Sequence, residues 1–173
     1  MLGENWQDQY QRLHRSYALL RRTADQNEHH GEIHDELNAR DILYHFCSDA
    51  LNLRDWIKHS PDADPAASSS VGQLFDPARH PSVASLSLAA CADIANGSKH
   101  LVLNRSATPG GPAEVVGQSQ GARLPATLPF HFAANHWDVD VGGVQFDALD
   151  LATQAIADWD TWLTEHGLLP LST

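Results

Sequence analysis

Apolar residues recur at helical spacing between Glu32 and Ser60, and this pattern predicts one long amphipathic helix through the middle of the core. The apolar stripe is broad, so the helix must pack against at least two partners. Pro61 disfavours helical dihedral angles in the residue before it, so we expect the helix to end near Ser60. The stripe consists of Ile33, Leu37, Ile42, Leu43, Phe46, Cys47, Ala50, Leu51, Leu53 and Ile57.

Residues 4–24 predict a first helix, because their apolar positions alternate spacings of three and four. This is the seam pattern of a helix that packs nearly parallel to another helix. A short polar connector separates it from the central helix, so we expect the two to form an antiparallel hairpin. The seam consists of Trp6, Tyr10, Leu13, Tyr17, Leu20 and Ala24.

Two more helices are predicted nearer the C-terminus. Residues 82–96 are apolar nearly all round and rich in small side chains, so this helix should be the most buried. Asn96-Gly97 should supply its left-handed cap. The last helix should begin at the N-cap Asp147 and end at Gly167.

A β-hairpin is predicted between these two helices. Apolar and polar side chains alternate over residues 135–146 around Gly142-Gly143, a pair typical of a two-residue hairpin turn. We expect three apolar side chains to face the core and two acidic ones to face outward, namely Trp137, Val139 and Val141, and Asp138 and Asp140.

The pattern as a whole predicts a single mainly α domain over residues 1–173. We expect an antiparallel four-helix bundle with a small β-hairpin inserted before the last helix, and with the second and third helices at its centre. Two segments rich in proline, glycine or small residues, about 60–82 and 106–129, should be loops.

Composition narrows the function classes. The net charge of −11 argues against wholesale binding to nucleic acid or to an anionic membrane, although residues 1–24 carry four arginines against two acids. No apolar run is long enough to span a bilayer, and the N-terminus lacks the features of a signal peptide. Cys47 and Cys91 lie among apolar residues, so we expect reduced core thiols in a cytoplasmic protein.

Polar side chains occupy the opposite side of the central helix at spacings of three and four. Two interpretations are open. The stripe is either a solvated face or the floor of a site, because two histidines and three aspartates share it. It consists of Asp41, His45, Ser48, Asp49, Asn52, Asp55, Trp56 and His59.

A metal site is one hypothesis for the histidines. His30 and His34 are four residues apart, and on a helix both imidazoles would project from one face, as zinc ligand pairs do. Glu32 lies between them, so this is not the motif of the metalloproteases. A chance pair among the 11 histidines is the alternative, in which case we expect no cofactor.

A second candidate constellation lies at the end of the third helix, where Asp93, Asn96, Lys99 and His100 follow one another. Polar groups beside an apolar core must satisfy one another, so a compact hydrogen-bonded network is expected if the central helix packs against this segment. Such a network is either structural or holds a general acid–base pair. The central helix would contribute His45, Asn52 or Asp55.

The hexapeptide R-D-W-I-K-H that begins at Arg54 resembles the signature of HEPN domains, which are small all-helical bundles. The resemblance implies metal-independent RNA cleavage in a dimer cleft. Arg54 and His59 would then position the phosphate and transfer protons, with Asp55 as the polar neighbour. Residues 40–45 match the signature equally well, and residues 22–29 match it at a longer spacing.

Three functional hypotheses follow. The first is a non-catalytic interaction or accessory module, because no strong catalytic motif is present and the first helix offers aromatic residues to a protein partner or to a second copy. The second is a HEPN-like RNase or RNA-binding protein. The third is a metal-dependent bundle enzyme that uses zinc. Residues 55–57 and 93–100 also resemble segments of small bacterial proteins, which implies no activity.

Overall fold

The computed structural model describes residues 3–25, 36–100, 106–120 and 135–169. No helix among these residues is long and apolar enough to cross a membrane. The elements, in chain order, are α1 (Trp6–Asp25), α2 (Glu36–His59), α3 (Pro65–Ser70), a 3₁₀ helix (Val71–Phe75), α4 (Leu86–Gly97), β1 (Glu114–Gln120), β2 (Asn135–Val141), β3 (Val144–Asp147) and α5 (Ala148–Glu165).

Helices α1 and α2 pack as the antiparallel hairpin that the sequence predicts. The Gln9 side chain, which is buried, donates from Nε2 to the Asp49 backbone oxygen at 3.2 Å and to Asp49 Oδ1 at 3.1 Å. Ser16, about two helical turns further along α1, donates to Asp49 Oδ2. The Tyr17 and Phe46 rings meet at a centroid distance of 6.2 Å. These contacts fix the register of α1 on the polar side of α2.

The seam of α1 is covered by the chain itself. Trp6, Leu13 and Leu20 are buried. The Tyr17 hydroxyl forms a hydrogen bond with the Thr153 hydroxyl of α5, with 2.9 Å between the two oxygens. Because α2 and α5 already cover these side chains, the seam does not offer the exposed aromatic surface that the sequence suggested for a partner or a second copy.

Helices α2 and α4 form the centre of the core, as predicted. Every residue of α4 from Ser87 to Ala95 is buried. Cys47 and Cys91 are free and fully buried. Burial, followed by contact with the Cys91 thiol, raises the pKa of Cys47 well above its ordinary value, so it is an unreactive thiol.

The mainly helical class is confirmed, but the predicted hairpin is part of a three-stranded antiparallel sheet in the order β1-β2-β3, so the prediction of a single two-stranded hairpin is wrong. Strand β1 lies inside the predicted loop 106–129 and pairs with β2 from Glu114↔Asp140 to Gln120↔Asn135, with an irregularity at Val115/Gly117. Four of the seven residues of β1 are polar and one is glycine, so the segment carries no apolar alternation. The segment forms a strand because its backbone pairs with that of β2.

The predicted loop 60–82 also contains regular structure. Asp64 caps α3 by accepting a hydrogen bond from the Ala66 amide at 2.7 Å, and Pro65 stands at the first helical position. The 3₁₀ helix that follows buries Leu74 and Phe75, which anchors this segment to the core.

The ends of the other helices differ in part from the prediction. Helix α4 begins after the N-cap Ser85, whose Oγ accepts from the Leu88 amide at 3.0 Å, and it runs through Gly97 to a right-handed cap at Ser98. Helix α5 has the predicted N-cap Asp147 and ends at Glu165, with His166 as its C-cap and Gly167 following at φ +67°. Residues 32–35, where the central helix was expected to begin, lie outside the described part of the chain.

The turn between β2 and β3 has the predicted geometry, with positive φ at Gly142 (+61°) and Gly143 (+88°). Val139 and Val141 are buried and Trp137 packs against the core, as expected. A Cβ atom on Gly142 would lie 2.5 Å from the Pro109 carbonyl oxygen, so the turn packs backbone against backbone on the 106–113 segment.

The same segment is held on α4 by one buried carboxylate. Asp93 is 1% exposed and accepts five hydrogen bonds: from the amides of Ala107 (2.6 Å), Thr108 (3.1 Å) and Ala113 (3.2 Å), and from the hydroxyls of Ser106 (2.8 Å) and Thr108 (2.7 Å). Each of these bonds satisfies a donor beside the core, so Asp93 joins the 106–113 segment to α4.

We expect Asp93→Ala to lower the free energy of unfolding by at least about 3 kcal/mol, because several buried donors lose their acceptor. Asp62→Ala is the matched control, since it removes the same charge from an exposed position. Urea unfolding of both variants measures the difference. Equal effects of the two substitutions would contradict the anchoring role of Asp93.

Candidate functional site

The described residues enclose a cleft of about 430 Å³ where the start of α1 meets the end of α2. The antiparallel packing of the two helices places these ends side by side. The volume lies within the range of small-molecule sites, roughly 300–1,000 Å³. The lining residues are Glu4, Asn5, Trp6, Asp55, Trp56, His59, Ser60, Pro61 and Asp62.

Two tryptophans give the cleft its apolar surface. Trp6 is 2% exposed, and its indole Nε1 has no hydrogen-bond partner among the described residues. Trp56 is half-buried on the last turns of α2 and packs against the core. Tryptophan combines a large apolar face with one donor, which suits it to ligand recognition.

Three carboxylates and one imidazole give the cleft its charge. Glu4, Asp55, His59 and Asp62 are all exposed. Arg12, which does not line the cleft, forms an ion pair with Glu4 at 2.6 Å and places its guanidinium carbon 5.5 Å from the centroid of the Trp56 ring. A cation at this distance from an indole face is attracted by the ring electrons.

Comparisons with known proteins add no assignment. No family, curated protein or solved structure matches the chain.

The structure brings together two of the three residues that the HEPN resemblance implies. Asp55 and His59 line the cleft, whereas Arg54 is turned towards Asp55, with Nη2 at 2.8 Å and Nε at 2.9 Å from Oδ1. The Arg54 guanidinium also lies 5.4 Å from the centroid of the Phe75 ring. The competing match at residues 40–45 is spread over the surface, since Arg40 donates to Tyr44 at 2.7 Å and His45 is exposed.

The predicted network at the end of α4 does not form as a unit. Asp93 is buried and bonded to residues 106–113, whereas Lys99 and His100 are exposed. The Asn96 carbonyl accepts from the amides of both. His45 is exposed on α2, and Asn52 is half-buried. These residues therefore do not share one site.

The zinc hypothesis falls on residues outside the described part of the chain, because His30 and His34 lie between 26 and 35. Within residues 3–25, 36–100, 106–120 and 135–169, no group of three or more histidine, cysteine, aspartate or glutamate side chains is arranged to hold a metal ion.

A titratable cluster between α1 and α5 was missed from the sequence. Tyr10 donates to Asp160 Oδ1 at 2.7 Å, His14 Nε2 lies 3.7 Å from the same oxygen, and the Tyr10 and His14 rings meet edge to face at 4.4 Å. Burial and the Asp160 acceptor raise the pKa of Tyr10, so the phenol stays protonated. Burial raises the pKa of Asp160, but His14 and Tyr10 outweigh it, and the net pKa is lowered.

The lowered pKa of Asp160 makes a prediction about acid stability. A carboxyl whose folded pKa lies below its unfolded value of about 3.9 stabilises the fold above that pH and loses the effect as the pH falls. Asp160→Asn should cost up to about 1 kcal/mol at pH 7, because Asp160 is half-exposed, and less near pH 3, where the unfolded-state carboxyl is mostly protonated. Urea unfolding at both pH values measures this.

Tyr10→Phe provides the control for that experiment, because it removes the hydroxyl that Asp160 accepts. The effects of Tyr10→Phe and Asp160→Asn should not add in the double variant. A cost of Asp160→Asn that grows on acidification would contradict the assignment.

Proposed function

We propose that this protein is a non-catalytic recognition module whose ligand binds in the cleft between the start of α1 and the end of α2. The observation that carries the proposal is the lining itself, in which Trp6 and Trp56 form an apolar wall beside polar side chains. Ligand sites combine an apolar lining with a few polar groups in this way. Tryptophan is also among the residues that contribute most to binding energy at protein interfaces.

The absence of an oriented catalytic pair supports binding rather than catalysis. In the part of the chain that the structure describes, His59 has no hydrogen-bond or ion-pair partner, although Asp55 and Ser60 line the same cleft. Nucleophilic or general-base catalysis requires the base to be within reach of its nucleophile and held there by a third group. Ser60 Oγ instead accepts from the Asp62 amide at 3.2 Å.

The RNA-directed alternative retains one favourable observation, which is that Asp55 and His59 share the cleft. The electrostatics oppose it. A phosphate needs an available cation, but Arg54 is paired with Asp55 and Arg12 is paired with Glu4. The carboxylates that line the cleft would repel an RNA backbone.

A binding screen tests the module hypothesis. Purified protein is screened by NMR against small neutral, cationic and anionic compounds, and the hits are titrated against Trp56→Ala. We expect hits to bind at the cleft and Trp56→Ala to weaken them about tenfold or more, because the ring supplies a wall of the site. Circular dichroism checks that the variant is folded.

Tyr44→Ala is the matched control, since it also removes a half-buried aromatic ring of α2 that lies under an arginine, Arg40, but outside the cleft. It should leave ligand binding unchanged. The proposal fails if no compound binds, or if the hits respond equally to Trp56→Ala and Tyr44→Ala. RNA cleavage in chelator that is lost in Arg54→Ala and His59→Ala would replace it with the RNase assignment.

A further inference from the structure

We propose that the cleft recognises a cationic group, a guanidinium or an alkylammonium carried by a basic peptide segment, and that Arg12, from outside the lining, engages two of the lining groups in the free protein as an internal competitor. This inference rests on the proposed function and names the chemistry of its ligand. Three observations carry it.

The first observation is the balance of charge in the lining. Glu4, Asp55 and Asp62 contribute carboxylates, and the lining residues include no lysine or arginine. Asp62 has no cationic partner in the described part of the chain, and only its backbone amide is engaged, at Ser60 Oγ. The whole chain carries a net charge of −11, so long-range attraction also favours a basic partner.

The second observation is the position of Arg12. Its guanidinium contacts two groups that line the cleft: the Glu4 carboxylate at 2.6 Å, and the Trp56 ring at 5.5 Å from the centroid. Carboxylate and indole face together are what a guanidinium or ammonium ligand requires. The chain therefore already presents a cation to these two groups, from outside the lining. Arg12 also donates to Gln9 Oε1 at 3.1 Å, which holds it in place from α1.

The third observation is the size of the cleft. The cleft volume of about 430 Å³ accommodates one arginine or lysine side chain with its backbone.

Because Arg12 competes with a cationic ligand, removal of Arg12 should increase the affinity for that ligand. This increase is not expected for a neutral or an anionic ligand. If an external cation uses Glu4 and Trp56, then removal of Arg12 frees both groups and binding tightens. If the ligand is instead an anion held by Arg12, the same substitution weakens binding. Arg12→Ala therefore separates the two.

The experiment titrates ¹⁵N-labelled protein with N-acetyl-arginine amide and with N-acetyl-citrulline amide, which has nearly the same shape but no charge. The indole signals of Trp6 and Trp56 are assigned from Trp→Phe variants. We expect the arginine amide to shift both signals in a saturable way and the citrulline amide to leave them in place. Arg12→Ala should bind the arginine amide about threefold more tightly.

Arg79→Ala is the matched control, because it removes the same charge and breaks a similar ion pair, with Asp76 at 3.4 Å, outside the cleft lining. It should not change the affinity. Equal binding of arginine and citrulline amides, no binding of either, or weaker binding by Arg12→Ala would each overturn the cationic assignment. The screen for neutral and anionic compounds remains the separate test of the module hypothesis.

Discussion

The contact on which the candidate site depends is the one between Asp49 and helix α1. Asp49 lies on the polar side of α2, and its carboxylate and carbonyl accept from Gln9 and Ser16, two residues on one face of α1. A buried amide such as that of Gln9 must be hydrogen-bonded, so this contact permits few registers of α1 along α2. That register places Trp6 opposite Trp56 and creates the cleft. The polar stripe of α2 is therefore not a solvated face along its whole length, and it is not the floor of a single site. Its middle packs against α1, and its C-terminal end lines the cleft.

A second carboxylate, that of Asp93, also holds one segment of the chain against a helix. Asp93 accepts hydrogen bonds from backbone amides and hydroxyls, and it fixes the 106–113 segment, on which the Gly142 turn rests. In a chain with 22 acidic residues and 11 lysines and arginines, many acids lack a basic partner. Asp49 and Asp93 serve as internal acceptors. Of the exposed acids that line the cleft, Glu4 and Asp55 are paired with Arg12 and Arg54, and Asp62 has no cationic partner in the described part of the chain.

The sequence predicts those parts of the fold whose cause is local. The apolar period of α2, the continuous apolar surface of α4, the Asp147 cap and the Gly142-Gly143 turn are each specified by neighbouring residues, and they form as expected. Strand β1 was missed because its pairing with β2 is a tertiary contact. Helix α3 was missed although Asp64-Pro65 is a local start signal, because the surrounding serines and prolines indicated a loop.

The residues of the candidate site also fall into two groups, those with a local sequence signal and those that only tertiary packing brings together. Asp55, Trp56 and His59 could be singled out because they share one side of a predicted helix. Glu4, Trp6, Arg12 and Asp62 come from separate elements, and only the antiparallel register brings them together. Trp6 was expected on the packing seam of α1 and is buried there, but its place in the cleft was not predicted. The pairing of Tyr10 and His14 with Asp160, more than a hundred residues away, likewise has no sequence signal.

The central claim is that the cleft binds a cation on an aromatic and acidic surface, and a crystal structure with N-acetyl-arginine amide tests it most directly. The account predicts the ligand guanidinium within about 6 Å of the Trp56 ring centroid, in contact with at least one of the carboxylates of Glu4, Asp55 and Asp62, and with Arg12 displaced. An unoccupied cleft at saturating ligand, or a ligand bound elsewhere on the surface, would contradict it.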